Sequence, residues 1–333
     1  MKKLTLTFLV FMLLFLGVSC SDNSDDTNQN SDSPTLVEFN KPKGFPNVVI
    51  PEDNPQTVEG IKLGRMLYYD RILDKDSSRA CASCHLQNLS FSSPGAGRDV
   101  MAHVNMAWQS QWLWDGKVEG TLEEVMIFEA KDFFEANLDR LRNHPTYPDL
   151  FEDAFGTDKI TYQACANALA QFTRTMVSFN SKYDKFLSGQ AQFSESEERG
   201  YDLFYSEKGD CFHCHGNALL TDRVFHNTGV DPALIDIGLG AVTGKVEDFG
   251  KFKTPTLRNI EMSAPYMHDG RFQTLEEVLD FYNAGGGFGT NVDPLMRPLG
   301  LDEQDKSDLI AFLKTFTDST FLTNPKFANP FEE

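Results

Sequence analysis

The sequence predicts a mainly α-helical protein made of two similar halves. Three observations carry that reading. Few stretches alternate apolar and polar residues as strands do, and five segments repeat their apolar residues at helical spacing. One short motif, together with the segment ahead of it, occurs twice.

The five helical segments are Thr121–Phe128, Tyr162–Val177, Glu195–Phe204, Leu275–Tyr282 and Asp302–Phe316. In the last, Leu309, Ile310, Leu313 and Phe316 form an apolar stripe and Asp302 is placed to cap the first turn. The repeat ahead of the motif is Gly64-Arg-Met-Leu-Tyr-Tyr in one half and Gly200-Tyr-Asp-Leu-Phe-Tyr in the other. In both, Leu follows Gly by one helical turn and two aromatics come next, as on a helix laying an apolar face against a flat ligand. The polar segment Ser188–Glu198 separates the halves, which gives domains over residues 36–190 and 191–333.

The N-terminus reads differently. MKKLTLTFLVFMLLFLGVSC combines two lysines, an apolar run from Leu4 to Val18 and small residues before Cys20, the pattern of an export signal over residues 1–20. The run is short for a membrane-spanning helix. Ser19-Cys20 matches a lipoprotein cleavage site, although Gly17 stands where Leu is usual. Cys20 is therefore expected to be acylated, holding the chain to a membrane in the periplasm or cell envelope, with an ordinary secretory signal as the alternative. Residues 21–35 offer almost no apolar side chain to repay ordering and read as a flexible tether.

With 333 residues, 41% of them apolar, the chain can bury two cores. Its 30 Lys and Arg against 49 Asp and Glu give a net charge of −19, which argues against nucleic acid or an anionic membrane surface as partner and for a basic protein.

The twice-used motif is Cys81-Ala-Ser-Cys84-His85 and Cys211-Phe-His-Cys214-His215. In CxxCH the two thiols can form thioethers with the vinyl groups of one haem, and the adjoining imidazole can ligate the iron from the proximal side. A zinc site would need further Cys or His pairs, and none remain. Cys20 belongs to the signal, and Cys165 lies on the apolar face of its helix, where it reads as a small buried hydrophobe. Two covalent haem c groups are the expectation.

These residues resemble the bacterial di-haem cytochrome c peroxidase family, which includes MauG-like enzymes. The resemblance covers nearly all of residues 40–316 and rests on DNPQTVEGIKLGRMLYYD, LWDGKVEGTLEEV, FHNTGVD, DFGKFKTPTLRNIEMSAPYMHDGRFQTLEEVLDFYNAGG and LGLDEQDKSDLIAFLKTFT. It implies two class-I cytochrome-c-like domains, a peroxide-reacting haem at His85, an electron-entry haem at His215 and a calcium ion between them.

The resemblance also assigns roles residue by residue. Counting from Leu122 places the family's acid–base glutamate at Glu135, but the intervening residues depart from the usual pattern, so Glu129 and Asp132 stay open. Trp114 matches the tryptophan between the haems, and Lys117 stands where Arg is common. The family's distal ligand to the second iron falls on Tyr282, where peroxidases have Met and MauG has Tyr; Met296 and Met267 are alternatives. His268 carries no ligand role. The loop that carries a gating histidine in other members is missing, so the first haem is expected to be open without prior reduction, with His103 as a possible distal ligand. Asp99, Ser263 and Pro265 match the calcium positions.

The expected reaction is reduction of hydrogen peroxide with electrons from a small cytochrome. MauG-like oxidation of aromatic residues on a partner protein and a non-catalytic di-haem electron carrier are the competing readings. The resemblance also points weakly to a homodimer.

Overall fold

In the computed structural model, which describes residues 33–332 apart from 96 and 232, the two repeated glycines sit at helix crossings. The signal, Cys20 and most of the tether lie outside the described residues. Gly64 is in the helix Val58–Tyr69, and a Cβ there would come 1.9 Å from the carbonyl oxygen of Ala168 in the helix Tyr162–Arg174. Gly200 is in Glu195–Phe204, and its Cβ would come 2.0 Å from the carbonyl oxygen of Asp308 in Glu303–Lys314. A residue with a side chain would force each pair apart. The sequence repeat is thus one packing device used twice.

Each crossing founds an apolar core. Leu63, Leu67, Tyr68, Leu169 and Phe172 belong to the first, and Phe204, Leu309, Phe312 and Phe316 to the second. The helices start where their capping residues put them. Thr121 precedes Leu122–Phe128 and Asp302 precedes Glu303–Lys314, its carboxylate accepting from the amide of Asp305 at 2.9 Å. Tyr162–Arg174 stops short of the predicted Val177. There the Thr175 hydroxyl bonds back to the Phe172 carbonyl, and the Arg174 guanidinium turns into a buried cluster with Glu123 and Gln56. Among the described residues, strands beyond isolated bridges form two short antiparallel ladders, Gln111–Trp112 with Val118–Glu119 and Phe225–His226 with Phe252–Lys253. Among the described residues no helix is long and apolar enough to cross a membrane.

The last residues, which the expected division at residue 190 gives to the second half, pack on the first core, where Phe321 and Phe327 meet Phe91 at ring separations of 5.5 and 6.4 Å. Arg65 and Tyr69 fix this tail by donating to the carbonyls of Ala328 and Phe327. The halves are joined by Arg98, whose guanidinium bonds Asp115 at 2.7 Å and Asp236 at 2.6 Å.

A candidate di-haem site

Both CxxCH motifs open into one largely apolar cavity of about 750 Å³. Cys81, Cys84, Cys211 and Cys214 are free thiols on its wall. The two histidines are held alike: the Nδ1–H of His85 donates to the Phe91 carbonyl and that of His215 to the Leu220 carbonyl, each at 2.8 Å. That bond fixes the ring and leaves Nε2 as the free lone pair, as a metal-binding imidazole requires. Burial lowers His85 to about 4 and lowers His215 as well, so both rings are neutral at pH 7. Free thiol pairs, oriented neutral imidazoles and an apolar cavity fit two haem c groups.

The structure separates the three carboxylates left open by the sequence. Glu135 leaves its helix in a left-handed conformation with φ of 48°, points to solvent and pairs with Lys75. Asp132 is also exposed. Glu129 faces the cavity, close enough to Cys81 for their charges to interact. Burial raises its carboxyl to about 7, with the Arg79 guanidinium pulling the other way. A π-helical turn over Glu129–Phe133, where the amide of Phe134 reaches the carbonyl of Glu129, lies between the cavity and Glu135. The position counted from Leu122 lies outside the pocket.

His103 packs beside the expected proximal ligand. Its ring stacks on His85 with centroids 3.4 Å apart and planes within 17°. It therefore touches the imidazole that would hold the first iron. Its Nδ1 meets the hydroxyl of Tyr68 at 3.1 Å.

At the join between the halves, the buried Trp114 donates from Nε1 to the Asp99 carbonyl at 2.8 Å, and its own carbonyl accepts from the amide of Lys253. Asp99, Ser263 and Pro265 all lie on the cavity wall, and burial raises the Asp99 carboxyl to about 6. His268 stacks on Phe252 at 3.6 Å and its carbonyl accepts from the amide of Asp99, a structural role. Around the second CxxCH, Tyr282, Met296 and Met267 line the cavity. Burial keeps the Tyr282 phenol above its ordinary pKa, and the neighbouring Cys214 and Cys211 add to the rise.

Several cavity groups were not singled out from the sequence. Lys253 is buried, donates from Nζ to the Gln111 carbonyl at 2.7 Å and is lowered by burial to about 7. His226 is clamped between Asp222 at 2.8 Å and Asp293 at 2.6 Å, and the Asp222 bond leads in raising it to about 11. Tyr68 had a signal in the sequence: it takes the place of Phe204 in the repeat.

A family model described as di-haem cytochrome c peroxidase matches residues 58–192. The chain is 35% identical to cytochrome-c peroxidase IdrP1 of Pseudomonas sp. (strain SCT), over 95% of this chain and 93% of that one. It is 33% identical to the methylamine utilization protein MauG of Methylophilus methylotrophus, over 87% and 91% respectively. Among solved structures it is similar to a MauG-like protein associated with microbial copper homeostasis, with a TM-score of 0.81 and 34% identity over 89% of this chain and 100% of that one. Paired helix crossings, two oriented CxxCH histidines on one cavity and relatedness over nearly the whole chain lead to one assignment: this protein belongs to the di-haem cytochrome c peroxidase family.

Proposed function

We propose that the protein reduces hydrogen peroxide, taking two electrons from a small c-type cytochrome or similar donor and two protons from solvent to give two waters. The observation that carries this reading is a half-buried carboxyl, Glu129, in the same cavity as His85 and both cysteine pairs. Each half is a class-I cytochrome-c-like domain. Haem c on Cys81 and Cys84 with His85, and on Cys211 and Cys214 with His215, supplies the redox chemistry when bound.

The residues do the rest. Glu129 as a carboxylate takes the proton from one peroxide oxygen and returns it to the other, which then departs as water. Trp114, pinned at the join by its bond to Asp99, shortens the path for electrons between the halves. The net charge of −19 favours a basic donor. Asp99, with Ser263 and Pro265, is the calcium position, since a raised carboxyl beside backbone carbonyls gains most from a hard cation. Cys20 acylation would tether the enzyme in the envelope, and a homodimer is its expected state.

The test is peroxide-dependent oxidation of reduced cytochrome c by haem-loaded protein, as isolated and after one-electron reduction, with calcium or with a chelator. Turnover in both redox states and loss on chelation are expected. No turnover in either state, together with peroxide-dependent oxidation of aromatic residues on a partner protein, would replace this reading with the MauG-like one that Tyr282 favours. Turnover of neither substrate would leave an electron carrier.

Tyr282 is proposed as the distal ligand to the second iron. A phenolate favours ferric iron, so Tyr282→Met should raise that haem's midpoint potential by on the order of 100 mV in a redox titration. An unchanged potential in that variant and a shifted one in Met296→Leu would transfer the role to Met296.

A further inference from the structure

We propose that Tyr68 and His103 form a redox pair beside His85 at the first haem site, in which Tyr68 gives up an electron and passes its proton to His103. The inference rests on the peroxide-reactive reading of the first site.

The internal repeat supplies the comparison. Tyr68 and Phe204 hold the same place, each fully buried on the helix that follows its repeated glycine. Packing alone needs only the ring, as the second half shows. The hydroxyl of Tyr68 is the addition, and a buried hydroxyl costs free energy unless it is partnered. Among the described residues its hydrogen-bond partner is Nδ1 of His103 at 3.1 Å. With the His103 proton on Nε2, the phenol donates to Nδ1. No carboxylate or cation bonds to either group among the described residues. The His103 ring in turn lies flat on His85 at 3.4 Å. The phenol is thus two contacts from His85, the ring that would hold the first iron, with a built-in proton acceptor.

The step balances. Reducing peroxide to water takes two electrons and two protons. When no donor cytochrome is present, the loaded haem sites would give up both electrons to the peroxide, with the two protons coming from solvent. Tyr68 then returns one electron: its O–H bond breaks, the proton passes to Nδ1 of His103, the electron refills the oxidised first site, and a neutral phenoxyl radical remains, while the second oxidising equivalent stays on the haem sites. Tyr69 is the next ring, 5.4 Å away and only partly buried, and offers the oxidising equivalent a way towards the surface. The pair would drain oxidising equivalents that otherwise stay in the pocket.

The experiment is freeze-quench electron paramagnetic resonance on the haem-loaded protein after one equivalent of hydrogen peroxide without donor. We expect a tyrosyl signal in the wild type, its loss in Tyr68→Phe, and at least a tenfold lower yield in His103→Val. Unchanged haem absorbance before peroxide shows that each variant is folded and loaded, and Phe at this place is already tolerated in the second half. A tyrosyl signal that survives in Tyr68→Phe, a wild-type radical that is tryptophanyl or absent, or an undiminished yield in His103→Val would overturn the pair. A haem spectrum that responds to peroxide without a tyrosyl radical rejects only this inference, whereas a spectrum that does not respond rejects the peroxide reading beneath it.

Discussion

Glu129→Gln should lower peroxide turnover by about a hundredfold or more, the usual cost of removing a positioned acid–base group, while Glu135→Gln should change it by less than about twofold. The two glutamates sit on either side of one π-helical turn, yet only Glu129 faces the cavity, while Glu135 pairs with Lys75 in solvent. The pH profile gives the sign. Glu129 ionises near 7, and the carboxylate is the form that takes the first peroxide proton, so the wild-type rate should fall as pH drops below about 7. Glutamine cannot titrate, so that limb should vanish in Glu129→Gln. Stability shifts in the opposite direction. An unfolded glutamate ionises at lower pH, so above about 4.5 the unfolded chain binds fewer protons there, and folding loses stability as pH rises to 7. Glu129→Gln should remove that loss in denaturant titrations at pH 5 and 7. Equal activity of wild type and Glu129→Gln, or a large loss in Glu135→Gln, would return the role to the position counted from Leu122.

Gly64→Ala should destabilise the protein by about 3 kcal/mol, against the roughly 1 kcal/mol of stabilisation that alanine ordinarily brings to a helix interior. The reversal of sign is the informative part. A Cβ at Gly64 would also meet the Cβ of Phe172 at 2.8 Å, so neither the facing backbone nor its side chain can yield cheaply. Urea unfolding followed by circular dichroism reads the change in midpoint. The same substitution at Gly200 should behave alike, because the Asp308 carbonyl and Phe312 take the corresponding places. Stabilisation by either alanine would mean that the helices cross less closely than the structure has them.

The parts of this protein that were legible in the sequence are those encoded over a few consecutive residues. CxxCH carries its chemistry within five positions, and Asp302 caps its helix through a bond from an amide in the first turn. The repeated glycines were visible as a pattern, although their partners, Ala168 and Asp308, are far along the chain. The site residues that moved were those whose place depends on backbone geometry between landmarks. Glu135 follows the π-helical turn and faces solvent, where it pairs with Lys75. The His103 amide bonds to the Phe91 carbonyl, the group that also anchors His85, which brings the two rings together. No periodicity announces either event. The return of Phe321 and Phe327 to the first core was illegible for a related reason, since a short apolar tail fits either half until the groove beside Phe91 exists.

That tail sets the order in which the protein can be finished. A chain made from its N-terminus presents the first half's helices early, but the wall that Phe321 and Phe327 press against Phe91 cannot form until those residues have been made. The first half, although made first, therefore completes its core last.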